Sequence, residues 1–199
     1  MNLPNKLTVV RIALVPVILL LMLPWSFLPT GNGWTHFVGR YGMLIAVILF
    51  IVASITDFFD GQIARRQNLI TTLGQFMDPI ADKFLVTSVM IMLVHLQRMH
   101  GLVVVVILAR DLVVNGLRML SASLGIVVPA NAVGKWKTFM QMIGMILIMI
   151  QLSLMQLGLT GFIVIAVGWV GDVLIGISVL LCVISVIQYV KVNRSHLDE

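Results

Sequence analysis

The sequence is short of charge. Of its 199 residues only 11% are Asp, Glu, Lys or Arg, against 60% hydrophobic, and the mean hydropathy is +1.09. A water-soluble domain carries roughly 25% charged residues, so this shortage excludes a surface that faces water throughout. Lipid satisfies no backbone polar group, which leaves a helical bundle or a closed barrel. The strict alternation of a barrel strand is missing too. The apolar runs are continuous, as at 103–109 and 143–155, so helices are expected. Cysteine is almost absent: Cys182 stands alone in an apolar run, which excludes an internal disulfide and points to packing. No small-residue cleavage site follows the first apolar stretch, which is expected to be a retained span. No internal repeat or low-complexity segment occurs, and one domain over 1–199 is expected. The four histidines, His36, His95, His100 and His196, have no metal-ligand spacing.

At roughly 20 residues per membrane helix, six spans fit, at 6–29, 40–65, 74–97, 101–124, 136–157 and 161–190. Breakers separate them, among them Pro29, Gly31 and Gly33, Gly125 and Pro129, and Gly158 and Gly161. Lys6 and Arg11, Arg65 and Arg66, Lys135 and Lys137, and Lys191 and Arg194 then all fall on one side. That side is cytoplasmic by the positive-inside rule. The expectation is an all-α integral membrane protein with six transmembrane helices, both termini cytoplasmic, and a short interfacial N-terminal segment. The net charge of +5 is thereby assigned to the membrane side and not to nucleic acid. Asn5, Thr8 and Arg11 share a helical face. They border a site or form the wet face of an interfacial helix, and the second is favoured. Pro16 and Pro24 bend or end the first span.

Six acidic residues fall within these spans: Asp57, Asp60, Asp78, Asp82, Asp111 and Asp172. A carboxylate at membrane depth costs about 3 kcal/mol on insertion scales. Four such costs between 57 and 82 demand compensation. Headgroup contact would suit Asp57 and Asp60 singly, but Asp82 lies about two turns inside the third span. Asp57, Asp60, Gly61 and Ala64 share one helical face, and Gly74, Asp78 and Asp82 share one face of the next helix. The short connection at 66–73 makes the two helices antiparallel neighbours, so four carboxylates can oppose one another across a cleft. Like charges so close need cations. Lys and Arg could serve, but hard divalent metals suit oxygen-only ligands better. Two such ions would favour displacement at phosphorus, by stabilising attacking and leaving oxygens together. Gly61, Ala64 and Gly74 would open room for a ligand, or allow close helix packing.

Written out, the stretch is Asp57-x-x-Asp60-Gly61-x-x-Ala64-Arg65, eight residues, then Gly74-x-x-x-Asp78-x-x-x-Asp82. It resembles the signature of the CDP-alcohol phosphatidyltransferases at all eight fixed positions. The six-span layout is similar to that family as well. The segments 2–11, 78–83 and 134–138 resemble the bacterial phosphatidylglycerophosphate synthases among them. The resemblance implies transfer of a phosphatidyl group from CDP-diacylglycerol to sn-glycerol 3-phosphate, with release of CMP. It implies Mg²⁺ or Mn²⁺, two ions by the carboxylate count, and commonly a homodimer in the cytoplasmic membrane with the site facing the cytoplasm. By motif position Asp57, Asp60 and Asp78 would hold metal and the CDP pyrophosphate. Asp82 would be the catalytic base and touch metal. Gly61, Ala64, Arg65 and Gly74 would line the CDP site together with Asp57 and Asp60.

A small dianionic acceptor needs Arg or Lys near the aspartates. Arg118 and Lys135 are favoured as glycerol-phosphate ligands, then Arg110, with Lys137 a further candidate. Against this, Lys135 and Lys137 would equally serve as positive-inside anchors, and Arg110 would form a buried pair with Asp111 or Asp172. Two alternatives stand beside the transferase reading. One is a related transferase acting on phosphatidylglycerol, inositol phosphate or serine. The other is a cation-coupled transporter, disfavoured because the carboxylates cluster near one face and no inverted repeat occurs.

Overall fold

A computed structural model describes residues 3–24, 33–67, 72–123 and 132–197, with side chains described at 8–24, 33–56, 80–119 except Asp82 and Arg118, and 133–188. The described chain is all helical. Six helices follow one another: α1 (Leu3–Met22), α2 (Gly33–Gln67), α3 (Thr72–His95), α4 (Gly101–Ser123), α5 (Ala132–Gln156) and α6 (Phe162–Leu197). They correspond one for one to the six expected apolar segments.

The boundaries differ where local chemistry overrides hydropathy. α1 stops at Met22 and not at 29, because Pro24 disfavours the helical conformation at Leu23 and offers no N–H of its own. Pro16 is accommodated within it. α3 ends where Gln97 turns left-handed (φ 57°) and Arg98 N–H donates to Leu93 O at 2.9 Å. α5 ends the same way: Gly158 has φ 82°, and Leu159 N–H donates to Leu154 O at 3.0 Å. Both are Schellman closures, which satisfy the last carbonyls of a helix. His100 opens α4, its Nδ1 accepting from Leu102 N–H at 3.3 Å.

The helices enclose one core to which all six contribute, from Val15 and Ile18 on α1 through Phe50, Leu93, Ile107 and Met149 to Ile175 on α6. Cys182 is fully buried within it, which agrees with a packing role. α5 and α6 form the most extensive pair. They cross where a Cβ on Gly144 would sit 3.0 Å from Gly171 O, and one on Gly171 3.0 Å from Gly144 O. Neither position has room for a side chain, so the two backbones touch directly, as small residues permit in lipid.

The outside of the bundle is apolar. Leu112, Phe162, Ile163 and Trp169 are all more than two-thirds exposed. Among the described residues, three stretches are long and apolar enough to cross a membrane: Gly33–Thr56, Val133–Gln156 and Phe162–Gln188. This is a membrane protein's surface. One expectation fails at the N-terminus. α1 runs unbroken from Leu3, with no separate interfacial segment, and Thr8 and Arg11 are each only 2% exposed. Their face turns into the bundle, against α2 and α3, and is not a wet outer face. The Asn5 side chain lies outside the described residues.

Candidate active site

α2 is helical through Asp57–Arg65 and α3 through Gly74–Asp82, with only residues 68–71 between the two helices. The helical spacing that aligns Asp57, Asp60, Gly61 and Ala64, and separately Gly74, Asp78 and Asp82, therefore holds along the backbone. The side chains of all eight motif residues, and that of Arg118, lie outside the described residues. Among the described residues no group of three or more His, Cys, Asp or Glu could hold a metal ion, and the four aspartates are not among those.

Beginning at Lys83, next to Asp82, the described residues line a cavity of about 180 Å³ of mixed polar and apolar character. Three helices line it with short periodic faces. Lys83, Val86, Thr87 and Met90 come from α3; Leu108, Asp111, Leu112 and Asn115, with Arg110, from α4; Lys137, Thr138 and Gln141 from α5. The first two sets are spaced i, i+3, i+4, i+7, the pattern of a single helical face. Three cations meet one carboxylate here, an excess of two positive charges among the described residues.

Two of the cations, Arg110 and Lys137, are held rather than loose. Asp111 is the hub: its Oδ1 accepts from Arg110 Nη1 at 3.0 Å and from Lys137 Nζ at 3.0 Å, and its Oδ2 from the same Nζ at 3.2 Å. Arg110 Nη2 reaches across to α6 and donates to Ser185 Oγ at 2.7 Å. Ser185 is buried and Lys137 is 2% exposed. An enclosed cation needs a carboxylate partner of this kind to offset its lost hydration. The α5 backbone presses on the same group: a Cβ on Gly134 would stand 2.9 Å from Arg110 Nη2. Gln141 is 3% exposed; its Nε2 donates to Met90 Sδ at 3.3 Å, and its Oε1 meets no donor among the described residues.

Several expectations change on this geometry. Lys137 is a buried member of the cluster and not a surface anchor. Lys135, two positions earlier, is exposed and outside the cavity lining. Arg110 does pair with Asp111, but Asp172 is not its partner. Asp172 faces Arg98, whose Nη2 donates to Asp172 Oδ2 at 3.1 Å and Oδ1 at 3.3 Å. Gln151 Oε1 completes that cluster, accepting from Arg98 Nη2 at 2.8 Å and Nε at 3.1 Å. It sits by the α3 and α5 C-termini, away from the motif. Lys83 was missed as a site residue, although a lysine beside Asp82 in an apolar helix is itself a signal of function.

These features match a known family model, that of the CDP-alcohol phosphatidyltransferases, over residues 1–189. The chain belongs to that family. Among its relatives, a Rickettsia bellii protein is 38% identical over 196 residues, covering 98% of this chain and 97% of its own. A Bacillus subtilis protein is 44% identical over 145 residues, 71% of this chain and 73% of its own. Both are named CDP-diacylglycerol–glycerol-3-phosphate 3-phosphatidyltransferase. A Mycobacterium tuberculosis relative, 40% identical over 152 residues (76% of this chain, 68% of its own), is named a probable phosphatidylglycerophosphate synthase. For a phosphatidyltransferase the relation of motif to cavity has direct meaning. Asp82 and Lys83 are adjacent on α3, so the last carboxylate of the motif and the first cation of the cavity lining follow one another on one helix.

Proposed function

We propose that this chain transfers the phosphatidyl group of CDP-diacylglycerol to sn-glycerol 3-phosphate, giving phosphatidylglycerol phosphate and CMP. The observation that carries the choice of a phosphorylated acceptor is the cavity of Lys83, Arg110 and Lys137. Its excess of two positive charges suits a phosphomonoester dianion, and its position beside Asp82 suits an alcohol that must reach that carboxylate. Serine or phosphatidylglycerol would bring no phosphate dianion to such a cluster; inositol phosphate would, and the relatives' names favour glycerol 3-phosphate over it.

The roles follow from chemistry. Arg110 presents a fixed planar donor set, held by Asp111 and Ser185, and the two lysines add point charges. Together they fix the acceptor's phosphate and leave its primary hydroxyl toward α2 and α3. Asp82 takes the proton of that hydroxyl as its oxygen bonds to the phosphatidyl phosphorus, and the bond from that phosphorus to the CMP oxygen breaks. A positioned base of this kind is worth about 10²–10⁴-fold. Asp57, Asp60, Asp78 and Asp82 form an oxygen-only donor set on two helices joined by a short connection, which fits Mg²⁺ or Mn²⁺. Two such ions, when bound, supply charge neutralisation at the pyrophosphate and at the departing CMP. Gly61, Ala64, Arg65 and Gly74 complete the CDP side.

α2, with 35 residues, is about 52 Å long at 1.5 Å per residue, far more than the roughly 30 Å hydrocarbon layer. Its C-terminal turns, which carry Asp57–Arg65, therefore belong to the headgroup region. There a CDP-diacylglycerol keeps its tails in lipid and its nucleotide in water. All six helices span, the termini and site face the cytoplasm, and the enzyme works as a homodimer in the cell membrane. The test offers purified protein CDP-diacylglycerol, Mn²⁺ and each acceptor in turn, and measures CMP. Glycerol 3-phosphate should be preferred, and Asp82→Asn should lose turnover by at least about 10²-fold while still binding CDP-diacylglycerol. Preference for another alcohol would overturn the acceptor, and an active Asp82→Asn would overturn the base.

A further inference from the structure

Gln141 lines the cavity without a part in holding the phosphate. Its carbonyl Oε1 is buried with no hydrogen-bond partner among the described residues, while its Nε2 is turned to Met90 Sδ. An amide nitrogen can donate to a thioether and an amide oxygen cannot, so the orientation of the group is fixed and Oε1 is an acceptor in want of a donor. Leaving such an atom unmet is costly. The other orphaned atom on the lining is a donor, Arg110 Nε. Both residues line the cavity, Arg110 from α4 and Gln141 from α5, and both unmet atoms are themselves buried.

A phosphate oxygen cannot satisfy Oε1, because the dianion carries no proton to give. On the proposed reading, the acceptor's primary hydroxyl surrenders its proton to Asp82. The secondary hydroxyl at C2 is the remaining donor on glycerol 3-phosphate. We infer that Gln141 Oε1 accepts a hydrogen bond from that C2 hydroxyl, and that Gln141 is a specificity-determining residue which tells a vicinal-diol phosphate from a phosphorylated alcohol lacking the middle hydroxyl. The inference rests on the glycerol-phosphate reading above.

The test uses the whole protein with CDP-diacylglycerol and Mn²⁺, and compares kcat/KM for three acceptors. These are glycerol 3-phosphate, 3-hydroxypropyl phosphate, which keeps the nucleophile and the phosphate but lacks the C2 hydroxyl, and dihydroxyacetone phosphate, whose C2 oxygen can only accept. A polar group built to meet a substrate hydroxyl discriminates against an analogue that leaves it unpaired. The wild type should favour glycerol 3-phosphate over 3-hydroxypropyl phosphate by about 10- to 100-fold, and dihydroxyacetone phosphate should rank last. Gln141→Met, of similar length and without the acceptor, should bring the first ratio to within about threefold of unity, whereas a merely structural role would lower all three acceptors together. A wild type that uses 3-hydroxypropyl phosphate as well as glycerol 3-phosphate would overturn the inference without recourse to any variant, and would mean that Oε1 meets only water. So would a Gln141→Met enzyme with the wild-type ratio. Absence of turnover with every phosphorylated acceptor would instead strike the glycerol-phosphate reading itself, and this inference with it.

Discussion

Arg110 shows how a single side chain is placed by residues far apart in the chain. Neighbours on a helix do not face each other, so the Arg110–Asp111 contact needs outside support. Lys137, 26 residues on, draws the carboxylate from the other side, and Ser185, 75 residues from Arg110, holds the far end of the guanidinium. Gly134 sets its height. Gly134→Ala should therefore separate stability from binding. Alanine favours the helix by up to about 1 kcal/mol, yet its Cβ would stand 2.9 Å from Nη2, so the end of the arginine must shift at the expense of its bond to Ser185 Oγ. The expected outcome is an unchanged or raised melting temperature with the KM for glycerol 3-phosphate up by about tenfold, the worth of one charge-assisted hydrogen bond. Steady-state kinetics alongside thermal unfolding in one detergent checks it, and an unaltered KM would mean that the contact constrains nothing. At this scale the sequence was partly legible. The sequence makes Arg110 a candidate because a dianionic acceptor needs Arg or Lys near the aspartates, and Asp111 is one of its two expected partners. The pairing of Asp172 with Arg98, 74 residues apart, was hidden because spacing along a chain carries no information on which distant polar groups meet.

Among the elements, what hydropathy sees and what ends a helix are different things. Continuous apolar residues mark the middle of each helix, so all six were legible. The ends answer to hydrogen bonding: Pro24 shortens α1, while α2 and α6 run on into polar sequence at 35 and 36 residues. The α5–α6 crossing was similarly out of sight, since glycine at Gly144 and Gly171 reads equally as flexibility or as contact. The structure decides for contact. Gly171→Leu should force these helices apart and cost about 1–3 kcal/mol, the usual penalty of overpacking. It should do so as a lower melting temperature with loss of activity on heating, and leave the acceptor ratios of the surviving enzyme unaltered. A variant as stable as the wild type would show that the crossing relaxes freely.

The whole molecule is legible in its composition and hidden in its assembly. Scarce charge dictates a lipid-facing exterior, and the placement of the basic residues predicts a cytoplasmic side for both termini. That orientation predicts a labelling pattern. In a Cys182→Ser background, Leu159→Cys lies in the α5–α6 connection and Ser195→Cys near the end of α6. A membrane-impermeant maleimide should reach the first in intact cells and the second only after permeabilisation. The reverse pattern would invert the topology and put the aspartates on the wrong side for a cytoplasmic nucleotide substrate.

α6 is apolar along most of its length and could pass for a lipid-facing wall. Its Ser185 nonetheless fastens the guanidinium that faces the cavity. Chimeras that exchange only this final helix between relatives would thus inherit a retuned grip on the acceptor along with a new hydrophobic exterior. Evolution of the outer wall, whether for a different bilayer or a different neighbour, is constrained by one hydroxyl turned inward.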